Sequence, residues 1–184
     1  MLRLVNRWGI PATSLVLLLG TAAYAANVHL KPPNSTPNFT DNGLTLTATG
    51  ALAGLGAGDV LVNLSATANA TSTCTNPAGQ SQPPGQNPAP VSVSGTQAIP
   101  ASQVKNGNVV FGVTTTAPAS PIAGAPDCPN SNWTEAITDL SFTSATITVK
   151  QGTPSATQLT LTCVFGAPTT DGAVPKKLVS CSSQ

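Results

Sequence analysis

Between residues 44 and 52 the even positions are Leu44, Leu46, Ala48, Gly50 and Leu52, while the odd positions from 45 to 49 are all threonine. A period of two marks a strand with one dry and one wet face, so 44–52 is predicted as a half-buried strand. A longer run follows, with Val60, Val62, Leu64, Ala66, Ala68 and Ala70 on one parity and Asn63, Ser65, Thr67, Asn69 and Thr71 on the other. The glycines at 54, 56 and 58 read as a flexible turn, and the two runs are expected to pair as a hairpin. At 3.3 Å per residue the run 60–74 would span roughly 50 Å, long for one strand, so a bend or bulge is expected within it.

Further strands are predicted at 27–31, 91–95, 108–115, 136–150, 158–166 and 177–181. In 136–150 the apolar parity changes: Leu140 and Phe142 are even, but Ala145, Ile147 and Val149 are odd. A bulge or break near Thr143-Ser144 is therefore predicted. No run has sustained helical spacing. The best candidate is one turn at Ser102-Gln103-Val104, stopped by Asn106-Gly107. Seven to eight short strands separated by turn signals predict an all-β fold, a two-sheet antiparallel β-sandwich of immunoglobulin-like arrangement. Two Pro-rich loops, 76–90 and 117–132, interrupt the pattern.

The first 25 residues follow a different logic. Arg3 and Arg7 precede a short apolar core over 14–22, and Ala23-Tyr24-Ala25 has the A-x-A form of a cleavage site. A signal peptide over 1–25 is expected, cleaved after Ala25, leaving a single domain over 26–184 that is secreted to the extracellular space. Pro11 leaves too short an apolar stretch for a membrane span. No cysteine stands directly after the cleavage site for lipid attachment and 174–184 has no hydrophobic tail, so no membrane insertion or lipid anchor is expected after cleavage.

Export changes how the cysteines are read. Cys74, Cys128, Cys163 and Cys181 all lie in the mature part, and an even number in an exported chain points to structural disulfides. Three pairings exist. Parity favours Cys163 with Cys181, because Leu159, Leu161, Cys163 and Phe165 share one face and Val179 and Cys181 share another. Cys74 with Cys128 then follows by elimination, which would tether both Pro-rich loops at one end of the sandwich. There is no C-x-x-C spacing, and the one mature histidine is His29, so no metal site is expected.

Composition narrows the function. Only 7% of the 184 residues are charged, and Gly and Pro number 16 and 17. The mature part has no Arg, Met or Tyr, and its five lysines face six acids. No basic surface draws it to nucleic acid. Histidine-dependent nucleophilic catalysis would rest on His29 alone, beside a Pro-Pro pair. The nearest acid pair in sequence, Glu135 with Asp139, reads as solvated surface or a turn partner rather than a glycosidase pair. No five-residue window holds more than two acids, so no calcium site is expected. No catalytic residue and no cofactor is assigned, and the chain reads as a non-enzyme.

For ligand binding the weak candidate is Trp133, with Phe39 as a second platform residue, in a carbohydrate-binding sandwich module. The simpler reading packs Trp133 beside the Cys128 disulfide. Thr-x-Thr pairs at 45–47, 146–148 and 160–162 form polar arrays, although Thr also simply suits strands. Five N-x-[ST] sequons, beginning at Asn34, Asn38, Asn63, Asn69 and Asn132, are about what a Ser/Thr-rich chain gives by chance.

The segment Ile99-Pro100-Ala101-Ser102-Gln103-Val104-Lys105-Asn106-Gly107-Asn108-Val109-Val110-Phe111 resembles the strand, turn, Asn-Gly and strand pattern of bacterial extracellular immunoglobulin-like modules. Segments 51–59, 74–90 and 128–149 are similar to those of uncharacterised small exported bacterial proteins. The resemblance implies the fold and carries no functional residue with it. The leading expectation comes from an absence: so few charges leave sheet edges poorly guarded and self-association weakly opposed. The chain is expected to be a secreted, non-catalytic structural or interaction protein, a cell-surface, matrix or fibre component. It would associate with itself or another extracellular protein through sheet edges and polar Thr/Asn faces.

Overall fold

The computed structural model describes residues 27–33, 36–152 and 155–184. The expected signal segment 1–25 and its cleavage point lie outside the described residues. In chain order the strands are β1 (His29–Leu30), β2 (Asn38–Asp41), β3 (Leu46–Ala53), β4 (Val60–Thr75), β5 (Ser81–Gln82) and β6 (Val91–Ile99). They continue with β7 (Val109–Thr114), β8 (Thr134–Gln151), β9 (Ala156–Phe165), β10 (Gly172–Ala173) and β11 (Val179–Ser183). Among the described residues the only helical pieces are two 3-10 turns, Ala101–Gln103 and Lys176–Leu178.

Two antiparallel sheets result, one of five strands and one of six. In the first, β3 is central, with β7 on one side and β1 and β2 end to end on the other; β10 lies outside β2. The second runs β11-β9-β8-β4, with β6 and β5 following one another along the far side of β4. Each of the eight predicted runs overlaps a strand. The three that the pattern missed, β2, β5 and β10, are two to four residues long, too short to display a period of two among Pro, Asn and Gly.

The expected hairpin between 44–52 and 60–74 does not form. β3 lies in the first sheet and β4 in the second, so 54–59 is an arch from one sheet to the other. Both runs carry an apolar face, and the fold buries those faces against each other instead of setting the strands side by side. The arch is fixed, not a free turn. Gln151, 5% exposed at the end of β8, accepts from the Gly56 N–H at 2.9 Å and donates to the carbonyls of Gly56 and Gly58 at 3.0 Å each. Gly54 has φ +78°, and a Cβ there would lie 2.3 Å from the Asn27 carbonyl oxygen, so only glycine fits.

Side chains from both sheets fill the core: Leu46, Leu52 and Phe111 from the first, Leu64, Phe142 and Ile147 from the second. Phe39 of β2 meets Phe165 of β9 edge to face, with ring centroids 5.2 Å apart. Burying each ring is worth about 2–3 kcal/mol and the pairing roughly 1 kcal/mol more. Phe39 is 2% exposed and is thus part of the clasp between sheets, not a binding platform.

The extra residues expected inside 60–74 sit on its partner. β4 keeps one parity throughout, while β8 skips Thr143 and Thr138 in their shared register. The predicted switch at Thr143-Ser144 is one of these two bulges; the other lies between Ile137 and Leu140. Each bulged threonine donates its hydroxyl to a β4 carbonyl at 3.2 Å, Thr143 to Thr67 and Thr138 to Thr71. A threonine at such a position satisfies a carbonyl that the interrupted ladder would leave bare.

One side of the sandwich is closed by β6 and β7. Between them come a single 3-10 turn at Ala101–Gln103, one residue ahead of the turn expected at 102–104, and then Asn106-Gly107, with φ 50° and 72°, which links the Lys105–Asn108 bridge. Two successive positive φ values are what a two-residue primed turn demands. Both expected disulfides form, Cys163 with Cys181 as parity suggested and Cys74 with Cys128 as elimination then required. Their sequence separations of 18 and 54 residues correspond to about 3 and about 4 kcal/mol in the chain-entropy account.

Candidate interaction surface

The outer face of the second sheet is built by the wet parity of five strands. Cross-strand register lines these residues up in rows. One row reads Ser94, Ser65, Thr146, Thr162, Ser182 across β6, β4, β8, β9 and β11. The row on one side reads Thr96, Asn63, Thr148, Thr160, and the row on the other Ser92, Thr67, Ser144, Val164, Ser180. Two of the three Thr-x-Thr pairs, 146–148 and 160–162, thus become a square on neighbouring strands. Neighbours are about 4.8 Å apart between strands and about 6.7 Å apart along them.

These three rows carry no charged side chain. Every position is a hydroxyl except Asn63, which accepts from the Thr96 hydroxyl at 3.0 Å, and Val164, which is 55% exposed. A hydroxyl both donates and accepts, so such a face can match another polar surface in many registers without desolvating an ion. The three rows hold no titratable group and no nucleophile with a base beside it. The outer face of the first sheet has a smaller version, where the Thr47 and Thr114 hydroxyls lie 2.8 Å apart and Asn42 donates to Thr47 at 3.0 Å.

At one end of the sandwich the two Pro-rich loops are tied together, as the cysteine reading implied. Besides the Cys74–Cys128 bond, Asp127 accepts from the Gly85 N–H through its carbonyl at 3.3 Å and from the Gln86 amide through its carboxylate at 3.0 Å. Glu135 is the anchor. The sequence reading made it solvated surface or a turn partner; it is not on the surface, being 0% exposed. Its carboxylate accepts from the Ser72 hydroxyl at 2.9 Å and from the Asp127 N–H at 3.3 Å, and its backbone bridges to Ile122. Glu135 shares the parity of Ile137, so it points inward with the core. Its role is to tie the second loop to β4.

The second acid cluster lies elsewhere and joins the sheets. Asp41 is 2% exposed and accepts from the Gly43 N–H at 3.0 Å and from the Thr169 hydroxyl. Thr169 in turn accepts from the Phe142 N–H at 2.8 Å and donates its own N–H to the Phe142 carbonyl at 3.0 Å. Burial pushes the Asp41 carboxyl above its ordinary range; the Thr169 and Gly43 hydrogen bonds oppose this, and the like charges of Asp139 and Asp171 add to it. The fold therefore gathers three carboxylates that no sequence window contained. Among the described residues, no group of three or more His, Cys, Asp or Glu is placed to hold a metal ion.

His29 is exposed, its Nδ1 2.8 Å from the Asn27 carbonyl. Trp133 is half-buried just before β8, with its backbone N–H donating to Asn130 at 3.1 Å. With Phe39 in the core, Trp133 has no second aromatic from the pair the sequence offered. A scan of protein-family models, a search of curated proteins and a search of solved structures each returned no match to this chain.

Proposed function

We propose that the chain is an exported, non-catalytic structural or interaction protein of the cell exterior, a surface, matrix or fibre component that works by contact. In this reading its sandwich is immunoglobulin-like and belongs with small exported bacterial proteins of that build. The observation that carries the reading is the outer face of the second sheet, three rows across four or five strands in which every side chain but Val164 is a hydroxyl or an amide and none is an ion. Charged side chains are the usual means of keeping sheet surfaces and edges apart, and this chain spends 7% of its residues on them.

The reading has a specific signature. Association between uncharged polar surfaces is insensitive to ionic strength, because there is no ion pair or like-charge repulsion to screen. Purified mature protein is expected to form assemblies, by light scattering and electron microscopy at high concentration, to the same extent in low and high salt. The double substitution Thr146→Lys with Thr162→Lys sets two cations in the middle of the face and is expected to reduce the large assemblies. Assemblies unchanged by that variant, or dissolved by salt alone, would overturn the face as the contact.

A further inference from the structure

Each sheet edge can be followed to what covers it. β6 and β7 cover one another: the Thr116 N–H donates to the Ser94 carbonyl at 2.8 Å, and the Gly112 N–H donates to the Gln97 side chain at 2.9 Å. β1, β5 and β10 are two residues each. β11 is different. It pairs only with β9, over five residues, and among the described residues no strand lies along its other side.

The ladder says which groups of β11 are unspent. Gln184 and Thr160 exchange both backbone hydrogen bonds, at 2.9 and 3.2 Å. By antiparallel alternation Ser182 and Ser180 are then the other residues bonded to β9, and Cys181 lies in a non-bonded pair with Cys163. Their 4.0 Å Cα separation is that of such a pair. The N–H and C=O of Cys181 and Ser183 therefore point away from the sheet. The Val179 N–H is taken by the Lys176 carbonyl, leaving its C=O outward. Beside this edge runs a groove of about 480 Å³, lined by Leu159, Leu161, Cys181 and Ser183 of the second sheet and by His29 and Leu30 of the first; β1 pairs with β3 and not with β11.

We propose that β11 is the docking site for a second copy of this chain, whose own β11 runs antiparallel about a two-fold axis at Cys181. The donor and acceptor order along the edge is self-complementary. Cys181 exchanges two hydrogen bonds with its counterpart, and each Ser183 N–H meets the other copy's Val179 carbonyl. From Leu178 to Gln184 there is no charged side chain, so the two edges meet without repulsion. The second sheets of both copies become one continuous sheet, and the hydroxyl rows extend across the junction. This rests on the reading that the chain works by association, and names the copy and the edge.

Ser183→Pro is the direct test, because its N–H points outward and its loss costs no bond to β9. Ser183→Lys is the second variant, since a lysine guards an edge without altering the backbone. By sedimentation velocity the unaltered protein is expected to show a concentration-dependent dimer. Ser183→Pro weakens it by about tenfold or more, the loss of two of four hydrogen bonds, and Ser183→Lys, which keeps those bonds, weakens it through the cation it places at the edge; circular dichroism and both disulfides are retained in each. The Thr146→Lys, Thr162→Lys variant keeps the dimer while losing the larger assemblies. Ser183→Pro and Ser183→Lys proteins as dimeric as the parent would overturn the edge and leave the general reading standing. A parent that is monomeric at every concentration would overturn both.

Discussion

Gly95 sits where β6 crosses the end of β7. A Cβ built there would lie 1.9 Å from the Thr114 carbonyl oxygen, 2.7 Å from its carbon and 2.9 Å from the Thr115 Cα. All three are backbone atoms, so no rotamer change relieves the clash. Restoring an ordinary 3.4 Å contact requires the strands to separate by about 1.5 Å, which breaks the Thr116–Ser94 hydrogen bond next to it. Gly95→Ala is therefore expected to cost about 3 kcal/mol or more, at the upper end of overpacking effects. In a chain of this size that is roughly a 6–12 °C fall in Tm. Gly112, across the same closure, is the control. Its added methyl meets only the Thr49 Cγ2 at an ordinary 3.7 Å. Gly112→Ala should then be neutral or stabilise by up to about 1 kcal/mol, through the unfolded chain's lost freedom. Urea unfolding with disulfides intact gives both numbers. A Gly95→Ala protein within about 0.5 kcal/mol of the parent would refute the crossing of β6 over β7.

Three further substitutions probe the two buried acids. The folded Asp41 carboxyl holds its proton more tightly than in the unfolded chain, so its protonated form contributes stability that is fully present below the ordinary value of 3.8 and is lost as pH rises through the folded pKa. Asp41→Asn should remove this term, so that the variant gains on the parent as pH is raised across the acid range; parallel stability curves from denaturant titrations would contradict it. Glu135→Ala strands the Ser72 hydroxyl and the Asp127 N–H and should cost about 3 kcal/mol, whereas Glu135→Gln keeps an acceptor and should cost about half as much, read by thermal unfolding; equal small losses would contradict the anchoring role.

The strands were legible because alternation is a local property: Val60 to Ala70, or Ala145 to Val149, need no knowledge of their partners to declare an inner face. Partners are another matter. Leu46 and Val62 have equally apolar faces, and nothing in their spacing decides between side-by-side pairing and burial face to face across an arch. The polar anchors left a trace that alternation contained. Glu135 shares parity with Ile137, Gln151 with Val149, and Asp41 with Phe39, so each stands on the dry face of its own strand. A polar residue at such a position must find partners inside. The hydroxyl rows were half visible as Thr-x-Thr pairs, but their width depends on register between strands far apart in sequence, as with Ser65 beside Thr146. The same holds for the convergence of Asp41, Asp139 and Asp171.

The measurement that bears most directly on the whole account is sedimentation equilibrium of residues 26–184, with both disulfides intact, over a wide concentration range. The account predicts a weight-average mass that climbs above the monomer with concentration and is the same in low and high salt. A mass that stays at the monomer throughout would contradict it.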